Sequence, residues 1–413
     1  FGWAGSRALM EHKMVDSSEE EDRELPPEIW RLVCDCLVPK QLGRLARTSR
    51  DVRTAVRGSP AFRQLLRCDG VWEDVHERSI LGVAVTGDSI VTASEDHTLR
   101  ILAATDGSCR AILEGHMNRV RCVCIMPDGR IVSGSRDGTL IVWARDGSHL
   151  RTLEEGPTDY VWCVAALSED RVVSGCRGGR IYLWDVNSGR EIEMFGAGSA
   201  VRCFAALPDG TLIADGGEGR LNVFDVAQGK HGNIIQSRCH TGPHEGSITS
   251  VAVPFESVVV AGRGNGSLSL WDLNADEDLI DIDDIDNVFT TRGHDAAVWA
   301  LASLPNKRFL AADGDGVLKI WRADLALVPE ALRSQRFPDI DSDYSGSDYS
   351  AFYSGPFPLT CLQTLRGHAR AAFCLAALPD GRIVSGSMDR TLRFWAPVGT
   401  QIDRERDAPS RVS

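Results

Sequence analysis

The sequence has no long apolar run. No stretch of its 413 residues approaches the length of about 18 consecutive apolar residues that a membrane span requires. The N-terminus also lacks the apolar segment of a signal peptide. With 43% hydrophobic and 25% charged residues, the composition is that of an ordinary globular protein. We therefore expect a soluble protein of the cytoplasm, the nucleus or both, without membrane contact.

Recognisable catalytic and metal-binding motifs are also missing. No Ser, His and Asp residues occur at the spacing of a known catalytic set, and the Gly-rich string at residues 262–266 fits a turn between strands better than a phosphate-binding loop. The 12 cysteines include one close pair, Cys34 and Cys36, but no second pair at the spacing of a zinc site. We expect reduced thiols, no metal, no cofactor and no enzymatic activity.

One short pattern is present in seven copies. The clearest copy is VSGSRDGTLIVW at residues 132–143, and a near duplicate, VSGSMDRTLRFW, occupies residues 384–395. The successive spacings are 41, 41, 40, 47, 50 and 74 residues, between copies that end at Leu102, Trp143, Trp184, Phe224, Trp271, Trp321 and Trp395. A period of about 40, with β-branched runs separated by Gly and Asp turns, indicates one four-stranded blade per copy. The predicted fold is all-β, a seven-bladed propeller over residues 70–400.

The copies share residues at fixed distances from their last position. In the second copy Gly115 and His116 stand at the start and Trp143 at the end, and this pattern resembles the WD-repeat family. The resemblance implies that a His, a strand Ser or Thr, a turn Asp and the Trp form a hydrogen-bonded chain inside the blade. The expected sets are His116, Ser133, Asp137 and Trp143, and His368, Ser385, Asp389 and Trp395.

Five copies depart from this set. The first copy has Leu102 at the Trp position but keeps the turn at residues 94–96, and the third copy has no His and has Gly178 at the Asp position. The fourth copy has Glu218 and Phe224 at the Asp and Trp positions, and the fifth has Asn265 at the Asp position but keeps His244 and Trp271. The sixth copy has Ala311 at the Ser position and keeps His294, Asp315 and Trp321. A buried polar group without a partner is costly, so such a chain is stabilising only when it is complete. We expect the incomplete blades to be less rigid.

Four cysteines occupy equivalent places in four copies. They stand on the predicted first strand of the blade, at Cys122, Cys163, Cys203 and Cys374. An unpaired cysteine behaves as a small buried hydrophobe. We therefore expect these four side chains to pack in the core.

A ring made from one chain needs a closing strand, because the first and last blades otherwise expose strand edges. The phase of the first copy places residues 70–73 where an outermost fourth strand belongs, and that strand can pair only with the last blade. We therefore expect the N-terminal flank to close the ring after Trp395. Residues 401–404 are the competing candidate, and residues 404–413 are expected to be a disordered tail.

The longest spacings contain insertions. The insertion at residues 275–288 is acidic with interleaved Ile, which favours a solvated loop over a partner-binding strip. The insertion at residues 325–360 is rich in Ser, Tyr, Asp and Pro, which favours a flexible segment open to phosphorylation. Residues 341–346 imitate the start of a calcium loop, but Phe352 stands where that loop needs Glu, so we expect no calcium.

Short amphipathic helices are predicted ahead of the repeats. The tail at residues 1–23 is expected to be disordered or truncated, and residues 24–66 carry apolar side chains at three- and four-residue steps. Prolines at positions 26, 27, 39 and 60 mark the helix starts and ends. A unit of about 40 residues cannot bury a large core, so its apolar face should dock on another surface.

This stretch resembles the F-box. The matching residues are Leu25, Pro26, Glu28, Ile29, Leu37, Leu42, Leu45, Ser49 and Arg50, whereas Val52 and Phe62 replace the usual Trp. An F-box followed by WD repeats resembles the substrate receptors of SCF-type ligases. The resemblance implies binding to the small adaptor of a cullin-RING ubiquitin ligase through Leu25, Pro26, Ile29, Leu32, Val33, Leu37, Leu42 and Leu45. The alternative is a helical cap that packs on the propeller.

One face of the predicted propeller carries arginines and aromatic residues. They are Arg119, Arg121, Arg136, Tyr160, Trp162, Arg177, Arg202, Trp299, Arg370 and Phe373. In a chain of net charge −13, this concentration of arginine indicates an anion-binding patch with aromatic anchors, suited to an acidic or phosphorylated client peptide. The alternative is solvated arginines paired with neighbouring acids. The same net charge argues against a nucleic-acid surface.

Together these patterns favour a non-catalytic protein–protein adaptor. The F-box-like helices are expected to bind the ligase core, and the propeller face is expected to bind the protein that is ubiquitinated. We expect a monomer outside this complex. The alternative is a WD-repeat scaffold of another multiprotein complex, without a role in ubiquitin ligation.

Overall fold

In the computed structural model the chain divides into two units, Phe1–Gln64 and Leu65–Ser413. The structure describes residues 66–153, 159–207, 211–217, 219–225, 234–237, 246–255, 258–272, 289–323 and 359–397. The predicted helical module up to residue 65, both predicted tails and the acidic insertion lie outside the described residues. All regular secondary structure in the described part is β, and no helix there has the length and apolarity needed to cross a membrane.

The described strands form seven antiparallel sheets of four strands each. Blade I contains β2 (Ile80–Thr86), β3 (Ser89–Ser94), β4 (Leu99–Ala103) and β5 (Cys109–Leu113); blade II contains β6 (Val120–Ile125), β7 (Ile131–Ser135), β8 (Leu140–Trp143) and β9 (His149–Leu153). Blade III contains β10 (Val161–Ala166), β11 (Arg171–Cys176), β12 (Arg180–Asp185) and β13 (Arg190–Gly196); blade IV contains β14 (Phe204–Ala206), β15 (Thr211–Gly217), β16 (Arg220–Asp225) and β17 (Ile234–Ser237). Blade V contains β18 (Ile248–Phe255), β19 (Val258–Arg263), β20 (Ser267–Asp272) and β21 (Phe289–Arg292); blade VI contains β22 (Val298–Leu304), β23 (Arg308–Asp313), β24 (Val317–Ala323) and β25 (Leu359–Arg366). Blade VII contains β26 (Ala372–Ala377), β27 (Ile383–Ser387), β28 (Leu392–Pro397) and β1 (Leu66–Trp72).

The predicted seven-bladed, all-β propeller is therefore confirmed. The turn between the second and third strands needs left-handed backbone in every blade. The residues with positive φ at this place are His97, Gly138, Gly179, Gly219, Gly266, Gly316 and Arg390. Glycine adopts this conformation without steric cost, which is why Asp-Gly and related pairs recur at this step of the sequence repeat.

The apolar core lies between blades and forms a closed circle. Seven buried clusters are present in the described residues, and each joins two neighbouring blades. Between blades I and II, for example, Val91 and Ile101 pack with Val120, Ile131 and Trp143. Because neighbours cover both faces of each blade, second strands such as β7 and β19 are buried at every position. No blade has a complete core of its own, so the ring stabilises itself as a whole.

Strand β1 closes the ring by pairing antiparallel with β28, from Leu66 opposite Pro397 to Trp72 opposite Leu392. The Trp72 ring lies 4.2 Å from the Phe394 ring, measured between centroids. It also covers Gly107 of blade I, where an added Cβ would lie 2.7 Å from the indole. The N-terminal flank thus supplies the closing strand, as the repeat phase predicted, but it begins at Leu66 rather than residue 70. Residues 401–404 lie outside the described part.

Candidate functional site

Blade II contains the complete hydrogen-bonded chain. His116 Nδ1 lies 3.0 Å from Asp137 Oδ2, and His116 Nε2 lies 2.8 Å from Ser133 Oγ. The Trp143 indole N–H donates to the same Ser133 hydroxyl at 2.9 Å. The equivalent distances are 3.0, 2.7 and 2.9 Å in blade VII, within the set His368, Ser385, Asp389 and Trp395. The chain fixes the start of the innermost strand against the turn between the second and third strands.

The turn carboxylates stay ionised in spite of burial. Burial alone would raise the pKa of Asp137, but hydrogen bonds from His116 and Thr139 outweigh it and hold the pKa well below its ordinary value. The same balance lowers the pKa of Asp389 in blade VII and of Asp96 in blade I. A carboxylate that accepts several hydrogen bonds is a strong local constraint on the backbone.

Blades I and III contain parts of this chain. In blade I, His76 lies 2.8 Å from both Asp96 Oδ2 and Thr92 Oγ1, and Leu102 replaces the Trp. In blade III the Trp184 indole donates to Ser174 Oγ at 3.0 Å, without a His. Each hydroxyl therefore keeps at least one polar partner.

Blade VI corrects one assignment made from the sequence. The carboxylate that contacts His294 is Asp313, at 2.8 Å, whereas Asp315 is exposed. Asp313 ends β23 and its Oδ1 accepts the backbone N–H groups of Asp315 and Val317, so one side chain both caps the turn and orients the His. Ala311 provides no hydroxyl, and two buried atoms are left without a hydrogen-bond partner among the described residues: His294 Nε2 and Trp321 Nε1.

A buried arginine, not anticipated from the sequence, occupies the equivalent place in blade V. Arg263 is fully buried, and its Nε donates to Ser269 Oγ at 2.7 Å. Its Nη atoms donate to the carbonyls of Gly246, at 3.2 Å, and of Gly219 in blade IV, at 3.3 Å. The guanidinium carbon lies 5.8 Å from the Trp271 ring centroid. The sequence signal that could have revealed this buried arginine is its place at the end of an otherwise apolar strand, β19. His244 lies outside the described residues.

The innermost strand of six blades contains a β-bulge at the same place. The register shifts at 80/82, 120/122, 161/163, 248/250, 298/300 and 372/374 and leaves one residue between each pair. A bulge re-aims its extra side chain, and here the extra residues line the central channel. With Arg202, which precedes β14, they form a ring of seven side chains that we call the collar: Leu81, Arg121, Trp162, Arg202, Thr249, Trp299 and Phe373.

One arc of the collar is cationic. The guanidinium carbons of Arg121 and Arg202 lie 5.3 and 5.2 Å from the ring centroid of Trp162, which stands between them in the blade order. Arg202 Nη1 donates to the fully buried Asp215 at 2.9 Å. Burial lowers the pKa of Arg121, and within the described part of the chain its guanidinium forms no hydrogen bond or ion pair. The sequence analysis did not anticipate a role for Asp215, which stands at the position that Gly134 occupies in blade II.

The opposite arc of the collar is aromatic. The rings of Trp299 and Phe373 meet edge to face, with centroids 5.5 Å apart. Gly314 lies directly against the Trp299 indole, where a Cβ would approach its Nε1 to 3.4 Å. The collar and the residues beside it line a cavity of about 240 Å³ that is open to solvent. The channel therefore has cationic groups on one side and flat apolar groups on the other.

A second group lies where the strand-connecting turns of blades II and III meet, and we call it the rim cluster: Arg136, Tyr160 and Arg177. The Arg136 and Arg177 backbone N–H groups donate to the carbonyls of Arg119 and Tyr160, each at 3.0 Å, which fixes each turn against the segment that precedes the first strand of its own blade. The guanidinium carbons lie 4.5 and 5.3 Å from the Tyr160 ring centroid. A hydrogen bond from Arg136, 3.4 Å long, lowers the pKa of the Tyr160 hydroxyl.

Two of the predicted face residues belong to neither group. Arg119 forms an ion pair with Glu95, which also accepts a hydrogen bond from Ser79. Arg370 is exposed on blade VII, and its carbonyl accepts a hydrogen bond from Ser387 at 3.2 Å. The ten predicted residues thus separate into five in the collar, three in the rim cluster and two outside. The alternative of arginines paired with neighbouring acids holds for Arg119 and Arg202.

Two family profiles match the chain. The one described as "F-box domain" matches residues 23–64. The one described as "WD domain, G-beta repeat" matches residues 107–144, 147–185, 286–322 and 359–396, which correspond to parts of blades I to III and V to VII and include the complete chains of hydrogen bonds. This chain is an F-box domain followed by WD40 repeats.

Curated relatives of this F-box/WD40 chain match it at modest identity. WD repeat-containing protein pop1 of Schizosaccharomyces pombe is 28% identical over 212 residues, which are 45% of this chain and 24% of that protein. Mitochondrial division protein 1 of Kluyveromyces lactis is 27% identical over 154 residues, 37% of this chain and 18% of that protein. Telomerase protein component 1 of Mus musculus is 25% identical over 233 residues, 52% and 8% respectively. The matches span a quarter or less of these relatives.

Both domain types of the F-box/WD40 chain are protein-interaction modules, and their families are typically non-catalytic. The residues expected to bind a cullin adaptor all lie outside the described part: Leu25, Pro26, Ile29, Leu32, Val33, Leu37, Leu42 and Leu45. The binding geometry that the structure describes is therefore that of the collar and the rim cluster.

The equivalent cysteines line the channel of the WD40 ring. Cys163 and Cys374 are buried as expected, whereas Cys122 and Cys203 are only partly buried. Burial raises the pKa of all four thiols, to about 12 for Cys374. Such thiols are protonated and unreactive at neutral pH. Among the described residues there is no group of three or more metal-ligating side chains.

A larger cavity, of about 630 Å³, lies between blades II and III, away from the collar. Its cationic group, Arg130, already contacts Asp128 at 2.6 Å, Asn187 at 3.0 Å and the Glu169 carbonyl at 2.7 Å. Because these contacts occupy the guanidinium, the cavity offers no cation comparable to Arg121 or Arg177.

Proposed function

We propose that this chain is the substrate-recognition subunit of an SCF-type ubiquitin ligase. In this proposal the F-box at residues 23–64 binds the cullin adaptor, and the propeller binds an acidic or phosphorylated client protein. The observation that carries the client side is the rim cluster, in which two guanidinium groups flank Tyr160. Arg177 has this ring contact but no carboxylate partner among the described residues.

The physical basis of client binding is charge-assisted hydrogen bonding. A guanidinium presents two parallel N–H groups to a carboxylate or phosphate, and such bonds contribute about 1.5–3 kcal/mol each. The tyrosine ring holds both guanidinium groups in place, which reduces the entropy lost on binding. The net charge of −13 on the whole chain makes this local cationic site selective, because an acidic client is repelled elsewhere.

The proposed mechanism is proximity. The adaptor holds one end of the complex and the propeller holds the client, so client lysines are kept at high effective concentration near the activated ubiquitin. The bond-forming chemistry belongs to other subunits, and this chain is proposed to have no catalytic activity. We further propose that it acts in the cytoplasm, the nucleus or both, where such ligases act, and that it is a monomer outside the complex.

Client binding can be tested with the double substitution Arg136→Glu and Arg177→Glu in the full chain. Binding of acidic or phosphorylated peptides should fall at least tenfold. The matched control is Arg190→Glu with Arg366→Glu, which changes the net charge equally at exposed positions on the outer strands β13 and β25. Equal affinity for the wild type and the first double variant would place the client site elsewhere.

Adaptor binding can be tested with Leu25→Ala and Ile29→Ala. Co-purification with the cullin adaptor should be lost, while a thermal melt shows an unchanged propeller. Equal recovery of the adaptor by this variant would favour the second candidate function, a scaffold of another multiprotein complex. The diversity of the relatives supports that candidate, since their names include a mitochondrial division protein and a telomerase component.

A further inference from the structure

Within the described part of the chain, the collar contains one positive charge that no carboxylate pairs with. Two guanidinium groups face the channel, and the buried Asp215 pairs with only one of them, Arg202. Glu95 has a favourable electrostatic effect on Arg121, but it is hydrogen-bonded to Arg119 and Ser79. Among the described residues, Arg121 therefore enters the channel without an ion-pair partner, and its guanidinium contacts the ring of Trp162.

This arrangement is suited to bind an anion. Burial lowers the pKa of Arg121 because the charged form has lost water, and the cation–π contact with Trp162 replaces only part of that hydration. An anion that enters such a partly desolvated site interacts more strongly than it would at the surface. The carboxylate of Asp215 next to Arg202 limits the preference to a single negative charge, since a second one would face it.

The aromatic side chains that line the rest of the cavity indicate the shape of the uncharged part of the ligand. Trp162 lies on the cationic arc, and the edge-to-face pair Trp299 and Phe373 lies on the opposite arc. Flat apolar surfaces of this kind favour stacking with another flat ring. The cavity volume of about 240 Å³ is below the range of about 300–1,000 Å³ for drug-sized ligands. A small ligand with one or two rings matches this volume.

We propose that the channel collar is a separate binding site for a small aromatic monocarboxylate, in which Arg121 binds the carboxylate and the aromatic residues contact the ring. The carboxylate has two possible sources with the same chemistry: a free aromatic acid, or the C-terminal carboxylate of a peptide that ends in an aromatic residue. This site uses different residues from the rim cluster and does not depend on a role in ubiquitin ligation.

The test titrates the full chain with benzoate and 2-naphthoate by calorimetry and by saturation-transfer NMR. Both acids should saturate one site. Benzamide keeps the ring but has no charge, and it should bind at least tenfold more weakly. Phthalate adds a second charge to the same ring and should bind no more tightly than benzoate. A peptide with a C-terminal Phe carboxylate, compared with its amidated form, examines the second source.

The decisive variant is Arg121→Met, which keeps the length of the side chain and removes its charge. Carboxylate binding should weaken at least tenfold, whereas the matched control Arg190→Met, at an exposed position on the outer strand β13, should change it less than twofold. Thermal melts of both variants establish that the ring is folded. Trp299→Leu, a second variant of the collar on its aromatic arc, should weaken naphthoate more than benzoate because the larger ring loses more contact area.

The possible results distinguish a free acid from a peptide C-terminus as the ligand, and they distinguish the collar proposal from the rim-cluster proposal. Saturable binding of the free acids that requires Arg121 supports a metabolite site, and binding of the carboxylate peptide alone, with the same requirement, supports a C-terminal peptide site. The proposal is overturned if no carboxylate binds, if benzamide and benzoate bind equally, or if Arg121→Met has no effect. None of these results alters the capture of acidic peptides by the rim cluster, so failure of one proposal is distinct from failure of the other.

Discussion

Replacing Ala311 with serine should stabilise the propeller, although it introduces a polar group into a fully buried site. In blade VI, His294 Nε2 and Trp321 Nε1 are buried without hydrogen-bond partners among the described residues. In blade II the hydroxyl of Ser133 satisfies both equivalent atoms, at 2.8 and 2.9 Å. Ser133 lies opposite Ile141 in the strand pair and Ala311 lies opposite Lys319, the same register, so a serine at position 311 would direct its hydroxyl between the two rings.

The expected gain follows from the two unsatisfied atoms. Asp313 can only accept, so His294 Nδ1 donates to it, and Nε2 of the neutral ring is an acceptor. A serine hydroxyl donates to that nitrogen and accepts from the Trp321 indole. Each buried unsatisfied group costs about 1–3 kcal/mol, and burial of the new hydroxyl offsets part of the recovery. We expect Ala311→Ser to raise the free energy of unfolding by about 1–2 kcal/mol.

The assay is urea unfolding of the full chain, followed by tryptophan fluorescence, with the indole ¹H–¹⁵N resonance of Trp321 as a local probe. That resonance should move downfield as the hydrogen bond forms. Ser133→Ala in blade II creates the arrangement now found in blade VI and should destabilise by about 2 kcal/mol or more. Ala312→Ser is the positional control, because Ala312 packs in an apolar cluster between blades VI and VII, and its hydroxyl should destabilise.

An unchanged unfolding midpoint and an unmoved Trp321 resonance for Ala311→Ser would refute the claim that these two atoms are unsatisfied in solution. A loss of stability equal to that of Ala312→Ser would refute the equivalence of blades II and VI at this position.

Three further predictions concern the ring as a whole and use thermal or urea unfolding. Trp72→Ala removes the contacts with blades VII and I and should cost about 2 kcal/mol or more, whereas the exposed Val71→Ala should cost little. Gly175→Ala should destabilise by about 1–3 kcal/mol, because a Cβ would lie 2.6 Å from its neighbours, while Gly196→Ala, with open space, should be neutral. The stabilisation that Asp137 contributes should be fully present above the ordinary aspartate pKa of 3.8 and should be lost as the pH falls below it, because folding depresses the pKa of Asp137. Asp137→Asn should reduce this loss of stability in acid. An identical pH profile for the variant and the wild type would contradict the assignment.

The repeat predicted the blades because each copy carries its own turn and strand signals. The positive φ after the turn Asp, the serine on the second strand and the closing tryptophan are local features, so counting from Trp143 to Trp395 located them correctly in blades II and VII. The closing strand was predictable for a different reason, since the phase of the first copy left residues 70–73 where an outer strand belongs, and that strand could pair only with the last blade.

Assigning roles by position in the repeat failed where a blade uses a different residue to make the equivalent contacts. Asp313 replaces Asp315 because a carboxylate two residues earlier can cap the turn and still reach His294. Arg263 extends from the second strand of blade V to carbonyls of two loops, one of them in blade IV. The contact of Arg263 with blade IV depends on the distance between blades, which is not encoded in the spacing along one copy.

The division of the candidate face into collar and rim cluster was also not available from the sequence. Arg119 and Arg121 stand two residues apart, yet Arg119 pairs with Glu95 outside the channel and Arg121 lines the collar. The difference arises at the bulge between Val120 and Cys122, a change in pairing register that only the sheet reveals. The sequence analysis therefore treated as one patch what the structure separates into two groups of side chains.

Ring closure by β1 has a consequence for biosynthesis. The hydrogen-bonded atoms of Cys68 and Arg393 are 325 residues apart in the chain. At about 5–20 residues per second, a ribosome needs roughly 15–65 s to make the partner of a strand that has already emerged. During that interval the first blade is exposed on one side, and its apolar surface and free strand edge require protection from association with other nascent chains. Synthesis of β28 thus converts an array with an exposed strand edge into the finished ring.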